Sequence, residues 1–309
     1  MRREAVLSSR IDDTRTSVDE LLRDEVESNN ERAHDEGIRA VHNYVAALEH
    51  GIHRLSKLPF TLRLVREIHA QLMEGAKGGS VTPGEFRKSQ NWIGPPGSTL
   101  STAFYVPPPP AEMTVALGTW EQFVRVREST PDLVQCALMH EQFEAIQPFL
   151  NGNGRVGRLL ITLFLIERGR LSLPLLYLSD YVERHRQCYY ELLRRVRTNG
   201  DWTGWLLFFL SGIAETAREA VGRAGRLMGL HGEFSARLTG IPRAVALLDK
   251  LFVNPYITVA RAAKLLQISN PTARKAVATL QKSGILEEVT GRTWGRLYLA
   301  RPILKIIED

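Results

Sequence analysis

Apolar positions recur at helical spacing over most of the chain. From Glu25 to Met73 the pattern is helical, with Val41, Tyr44, Val45 and Leu48 on one face, and a second helix is predicted from Leu62 to Met73 after a break at Pro59. Upstream, Ser17 and Glu20 form a capping box, and Asp19 and Glu20 suit a first helical turn. Residues Leu133–Ile146 and Leu159–Ile166 predict two further helices, the second central and buried, with Gly169 placed as its C-cap. A short apolar stretch, Leu175–Tyr177, then leads to helices at Glu183–Arg197 and Trp202–Ala217. Between these elements, Thr82–Ile93 has turn residues followed by mixed polar and aromatic positions, which suits a hairpin or loop better than a helix. Pro107–Pro110 must be extended polyproline II, a surface strap or, as the rarer alternative, a docking site for a partner domain.

The last quarter has its own grammar. Arg243–Phe252 is amphipathic, Thr258 caps a second helix, and the turn Gln267–Ser269 leads to a third with Pro271 at its start and Gly284 past its end. Ile285–Val289, a turn at Thr290–Gly295 and Arg296–Leu299 then read as a β-hairpin. Three helices and a hairpin make a winged helix-turn-helix. Asn270, Thr272, Arg274 and Lys275 would open its recognition helix and Arg292 and Arg296 would flank its wing, where base-edge and phosphate contacts belong. A winged helix used for protein interaction or dimerisation is the alternative. Gly225, Gly229, Gly232 and Gly240 are predicted to loosen the chain ahead of Pro242 and so to mark the domain boundary.

Composition sharpens this division. With 309 residues, 44% of them hydrophobic, the chain can bury one large core and a smaller one. The net charge is +6, and residues Ile241–Asp309 carry eleven Lys/Arg against five Asp/Glu, so the whole excess sits there. That asymmetry points to a polyanion partner, DNA, bound with a salt dependence set by counterion release. Two cysteines, Cys136 and Cys188, read as small buried hydrophobes in a reducing cytoplasm. The first residues lack a signal-peptide pattern, and no apolar run is long enough for a membrane span, so a soluble cytoplasmic protein is expected. His50 and His53 have no third ligand nearby and read as surface histidines.

The candidate chemistry lies in Gln147–Arg158, QPFLNGNGRVGR. A loop of Gly152, Asn153 and Gly154 ahead of an apolar helix lets backbone N–H groups converge at a helix N-terminus, and Arg155 and Arg158 put two guanidinium forks on one face. This arrangement makes an anion site, best suited to a polyphosphate. With the preceding HEQFEAI, the string resembles the signature of the Fic family, His-x-Phe-x-Asp/Glu-Gly-Asn-Gly-Arg-x-x-Arg. Phe149, Gly152, Asn153, Gly154, Arg155 and Arg158 coincide; Gln147 stands where the family has histidine and Asn151 where it has the acidic residue.

The resemblance implies a mainly α fold, a Fic helical core over residues 31–224 with a small β-hairpin flap behind an inhibitory-type segment over 1–30; the residue patterns above add a linker over 225–240 and the winged helix-turn-helix over 241–309. It implies ATP as ligand, with Mg²⁺ on the acidic residue, here weakened to Asn151, and an adenine contact from an aromatic near Tyr189 and Tyr190. Phe86, Arg87, Asn91 and Trp92 fall in a segment resembling the flap that holds a target peptide by strand addition, or in an ordinary structural hairpin. Ser8, Ser9, Arg10 and Ile11 resemble the family's inhibitory segment, with Asp12 at its glutamate position and Asp13 at its glycine or asparagine position. Aspartate is one methylene shorter than glutamate, which leaves its reach to Arg158 open.

Gln147 cannot take up a proton near neutral pH, and loss of a general base costs on the order of 10²- to 10⁴-fold in rate. His140 lies two helical turns away, too far to replace it, and reads as a hydrogen-bonded core residue. Two classes of function follow. One is a nucleotide-responsive DNA-binding regulator in which nucleotide binding has outlasted adenylyl transfer. The other is an enzyme, either an impaired adenylyltransferase or an active Fic enzyme that transfers AMP or another phosphate-containing group to a protein hydroxyl, or to an already acidic group, by a mechanism lacking the motif histidine. A homodimer is compatible with either.

Overall fold

A computed structural model describes residues 1–12, 15–27, 35–76, 82–95, 97–127 and 130–309. Asp13 and the boundary expected between residues 30 and 31 lie outside the described residues. Among those described, the helices and strands run α1 (Arg2–Ile11), α2 (Val18–Glu27), α3 (Glu36–Leu55), α4 (Leu62–Leu72), α5 (Pro110–Arg125), α6 (Asp132–Ile146), α7 (Asn153–Glu167), α8 (Leu178–Arg184), α9 (Arg186–Asn199), α10 (Trp202–Arg237), α11 (Pro242–Leu251), β1 (Tyr256–Thr258), α12 (Val259–Leu266), α13 (Asn270–Lys282), β2 (Glu287–Glu288), β3 (Leu297–Leu299) and α14 (Arg301–Glu308). None of the described helices is long and apolar enough to cross a membrane. The chain divides into two compact units, Met1–Arg15 with Asp35–Ala217, and Thr16–His34 with Arg218–Asp309.

In the first unit α7 is the central element. Val156, Leu159, Leu160, Ile161, Leu163, Phe164 and Leu165 are all at most 2% exposed, an apolar surface round most of the helix that only an enclosed helix can carry. Gly51 lets α3 approach it, since a Cβ there would lie 2.5 Å from a methyl of Leu163. Gly169 follows the helix at φ +68°, the left-handed residue that the sequence places at this end. Two boundaries differ from expectation. The helix expected over Glu183–Arg197 is broken at His185 into α8 and α9, and the extended tract expected over Pro107–Pro110 ends a residue early, Pro110 being the first residue of α5. Ser8 to Ile11, expected as a segment before a helix, are the last turn of α1, which is buried from Arg3 to Ser9 and again at Ile11.

The second unit holds α11, α12 and α13 with an antiparallel sheet in the order β1-β3-β2, Tyr256 and Glu287 both pairing with Leu299. Thr258 caps α12 by accepting from Arg261 N–H at 3.2 Å. Its core is Leu247, Leu248, Leu251, Val277, Leu280 and Ile303. The linker expected over 225–240 is largely absent, because α10 runs unbroken to Arg237. Each of Gly225, Gly229 and Gly232 costs the helix about 1 kcal/mol. Phe234 and Leu238 are buried in this core and Leu227 and Leu230 pack against it, at about 1.5–3 kcal/mol per fully buried side chain, which outweighs that cost. The chain turns instead at Gly240, φ +81°.

Residues 1–30 are likewise not one segment. The capping box forms as read, Ser17 N–H donating to Glu20 Oε2 at 2.8 Å and Glu20 N–H to Ser17 Oγ at 3.1 Å. The helix it starts, α2, belongs to the second unit. Asn254 Nδ2 donates to Leu22 O at 2.9 Å and Tyr256 Oη to Asp19 Oδ1 at 2.6 Å.

Candidate functional site

Helix α6 ends at Gln147, a non-glycine residue in the left-handed region at φ 47°. Its N–H donates to Phe143 O at 3.0 Å, and its own carbonyl accepts from Arg87 Nε at 2.9 Å. The side-chain nitrogen donates to Glu144 twice, to the carbonyl and to Oε2, each at 3.0 Å. Two acceptors there fix which end of the amide is which. Further along, Asn153 closes the loop on itself: Phe149 N–H donates to Oδ1 at 2.8 Å, and Nδ2 donates to Phe149 O at 2.7 Å. Gly152, φ +76°, supplies the turn into α7.

His69, which no sequence motif marks, holds this loop from α4. Gly84 N–H donates to Nδ1 at 2.9 Å, so the ring proton sits on Nε2, which donates to Asn151 O at 3.1 Å. The ring stacks on Phe149 at 3.7 Å between centroids. Burial pushes its pKa down to about 4, so the ring is neutral near pH 7.

Arg158 is buried, 3% exposed, and donates to α1 and its cap: Nε to Ser8 Oγ at 2.8 Å, and Nη2 to Ser8 O at 2.8 Å and to Asp12 Oδ1 at 3.1 Å. Asp12 Oδ2 lies 3.4 Å from Arg155 Nε. The aspartate therefore reaches Arg158 and bridges both arginines with one carboxylate. Its reach comes from α1, which carries the backbone of Asp12 to the site. Gly154 leaves room for that bridge, since a Cβ there would sit 2.9 Å from Arg158 Nη1 and 3.3 Å from Asp12 Oδ1. Burial opposes the charge on Arg158, yet Asp12, Tyr189 and Glu144 outweigh it and hold its pKa raised; for Arg155 burial prevails and the pKa is lowered. Glu144, buried with Oε1 unpaired, is pushed up to about 7 by burial, against the pull of Arg158 and Arg197.

Helix α1 is built into the unit that holds the site. Arg3 Nη2 donates to Asp180 Oδ2 at 2.9 Å, and Ser179 donates to Glu4 through its N–H at 3.3 Å and through its hydroxyl. Burial pushes Glu4 up to about 7.

Other expected site residues lie elsewhere. Tyr189 is buried, its hydroxyl 2.9 Å from His140 Nε2, so it is a core residue and does not present a face to a ligand. Tyr190 is 46% exposed. His140 is the core residue expected, its pKa pushed down to about 3 by burial. In the segment read as a flap, Arg87 is buried and donates to Gln147 O and Pro108 O, and Asn91 Nδ2 donates to Phe149 O at 3.2 Å. These two hold the motif loop and the proline strap rather than facing outward. Phe86 sits 5.2 Å from the Phe149 ring, Trp92 is half-exposed with Nε1 donating to Ser98 O, and the segment closes through one bridge, Ile93 to Tyr105.

Asn151 is exposed, and among the described residues no three His, Cys, Asp or Glu cluster as metal ligands; His50 faces Glu67 at 3.2 Å. Asn270, Arg274, Lys275, Arg292 and Arg296 are exposed, while the Thr272 hydroxyl bonds that of Ser269. Cys136 is buried as expected, whereas Cys188, on the outer side of α9, is exposed.

Residues 59–165 match the Fic/DOC family, and residues 1–53 match the Fic/DOC family N-terminal domain. A probable protein adenylyltransferase of Aquifex aeolicus is 27% identical over 194 residues, 60% of this chain and 54% of that protein. The protein adenylyltransferase Fic of Aedes aegypti is 29% identical over 147 residues, 46% of this chain and 25% of that protein. The chain thus spans about half, or less, of the length of these relatives. A Fic family protein structure from Desulfovibrio desulfuricans superposes with TM-score 0.60 at 20% identity, covering 97% of this chain and 87% of that one. At that identity the likeness is one of fold.

Proposed function

The chain carries a Fic/DOC family domain with its N-terminal companion, and from that premise we propose that the loop Gly152–Gly154 with Arg155 and Arg158 binds the polyphosphate of ATP in competition with Asp12. The bridge from Asp12 to both arginines carries this reading: a carboxylate occupies the cations that a phosphate would need. The relatives named as protein adenylyltransferases supply the reaction class. Tyr190, half-exposed beside the buried Tyr189, is the aromatic available to an adenine.

Adenylyl transfer to a hydroxyl needs a base at residue 147. Gln147 offers an amide whose nitrogen is already committed to Glu144, and Glu144 itself is buried. Loss of the base lowers transfer by about 10²- to 10⁴-fold. A magnesium ion would supply charge neutralisation for the polyphosphate. Asn151 could hold it by one neutral side-chain oxygen, a poorer ligand than a carboxylate. The protein is then a nucleotide binder with impaired transfer. The second reading, an enzyme whose acceptor is already ionised and needs no base, rests on that same amide at 147.

For the second unit we propose a winged helix-turn-helix that binds DNA. Arg274 and Lys275, exposed in the first turns of α13 behind Pro271, and Arg292 and Arg296, exposed on the β2–β3 turn, support it. The two units together make a nucleotide-responsive DNA-binding regulator.

Calorimetric titration with ATP and Mg²⁺, followed by incubation with radiolabelled ATP, tests the reading. Binding without label transfer is expected. Transfer to a hydroxyl would overturn the account of Gln147, and transfer to a carboxylate or phosphate would favour the second reading. Failure to bind would remove both.

A further inference from the structure

The turn between β2 and β3, residues 290–296, is exposed from 291 onward yet tightly built. Glu288 ties its first half, accepting from Thr290 N–H at 2.8 Å and from Gly291 N–H at 2.9 Å. The second half closes through Leu297 N–H, which donates to Thr290 Oγ1 at 3.3 Å, and Arg296 Nε, which donates to Arg292 O at 2.8 Å. Gly291 and Gly295 take left-handed backbone, φ +63° and +62°, and a Cβ at either would meet nothing, so the turn requires them and packing does not. A turn held by its own bonds is shaped before any partner arrives, which lowers the cost of ordering it on binding.

Near the tip stands Trp294, 83% exposed and the sole large apolar residue from 290 to 296. The ring takes no part in holding the turn. Arg292 and Arg296 lie two residues to either side of it, both exposed. Glu27 lies 3.6 Å from Arg292, an exposed pair that a phosphate can displace. One ring is too little for a protein interface, which needs about 800 Å² per partner and a cluster of anchors. A flat apolar ring between two guanidinium groups instead matches a base between two phosphates, the pairing by which aromatic side chains hold nucleic acid.

We propose that Trp294 is a wedge that enters the minor groove of duplex DNA and stacks in a partly opened base step, with Arg292 and Arg296 on the flanking phosphates, an assignment that rests on the DNA-binding reading above. It adds what the turn selects, which is deformability and not base identity. Pyrimidine–purine steps such as TA unstack readily, whereas A-tracts are stiff. The cost of opening the step is offset by stacking on the indole, so the preference needs no hydrogen bond to a base edge.

The test uses the full chain and two 30-base-pair duplexes, one of alternating TA with 2-aminopurine at its central adenines, the other built of A-tracts. 2-Aminopurine brightens when it is unstacked. The wild type should bind the TA duplex about fivefold more tightly than the A-tract duplex and brighten the probe. Trp294→Ala should weaken TA binding about 5- to 100-fold and abolish both the brightening and the preference. Its slope of log Kd against log salt should match the wild type, because no cation is lost, and its melting temperature should too, because the ring is exposed. Trp294→Phe should restore most of the affinity and the brightening, while Arg292→Gln should reduce the salt slope by about one and keep the brightening. Equal binding by Trp294→Ala, or a bound wild type that leaves the probe dark, overturns the wedge and leaves the DNA reading standing. Failure of the wild type to bind either duplex overturns both, and attachment of the wild type but not Trp294→Ala to anionic vesicles would then give the ring to a lipid surface.

Discussion

The two halves of the motif differ in what supports them. From Gly152 to Arg158 the side chains that matter are held by bonds within the loop or by α1: Asn153 closes on Phe149, and Arg158 on Ser8 and Asp12. At Gln147 and Asn151 Arg87 and His69 hold the two backbone carbonyls, and the Gln147 amide is bound besides to Glu144. In the proposed reading, binding and catalysis separate along the loop: the second half keeps an anion site, and the first half presents two amides in place of a base and an acid.

The sharpest way to break that comparison is to restore the two groups. Gln147→His with Asn151→Asp should raise label transfer from ATP by about 10²- to 10⁴-fold, read as self-labelling or labelling of an added protein. No gain would show that the first half has lost its geometry as well as its chemistry. Removing the buried cation of the second half comes next. Arg158→Ala leaves Asp12 and Glu144 without their compensating charge and should cost about 3–5 kcal/mol of stability, measured by urea unfolding, along with ATP binding. Asp12→Ala takes away the competitor and should tighten ATP about tenfold, or 1.4 kcal/mol, by calorimetry; an unchanged Kd would mean that the bridge does not overlap the phosphate position.

The smallest effect is a pH dependence. Glu144 binds its proton with a pKa of about 7 in the fold against 4.5 ordinarily, and Glu4 does the same. Between those values the folded chain holds more protons than the unfolded one, so these groups stabilise below pH 4.5 and lose that contribution as pH rises through 7. His69 and His140, lowered to about 4 and 3, act oppositely, adding stability as pH rises toward 6.5. Between pH 6.5 and 8 Glu144 on its own lowers the unfolding free energy by roughly 1 kcal/mol, a fall that Glu144→Gln should remove. An unaltered decline would place the titration elsewhere.

What was legible in the sequence follows the range of the interactions. Ser17 and Glu20 announce α2 because both partners of the capping box lie within four residues, and the glycine loop announces itself through backbone freedom. Helix α1 gave no such signal: its buried Arg3 and Glu4 find their partners at Asp180 and Ser179, far along the chain. The bond from Asp12 to Arg158 could not be read from side-chain length, because α1 sets the distance. Arg87 and His69 work on backbone carbonyls, for which no residue pattern exists. Propensity alone predicts a break at the glycines of α10, and tertiary burial of Phe234 and Leu238 overrides it.

The left-handed backbone at residue 147 also bears on inheritance. A β-branched side chain is strongly disfavoured at φ 47°, so valine, isoleucine and threonine are poor occupants of this position. Glutamine and histidine codons differ only in their third base, and asparagine and aspartate codons only in their first. Two point substitutions therefore separate this chain from a loop with a base at 147 and an acid at 151, with Arg87 and His69 already holding both positions.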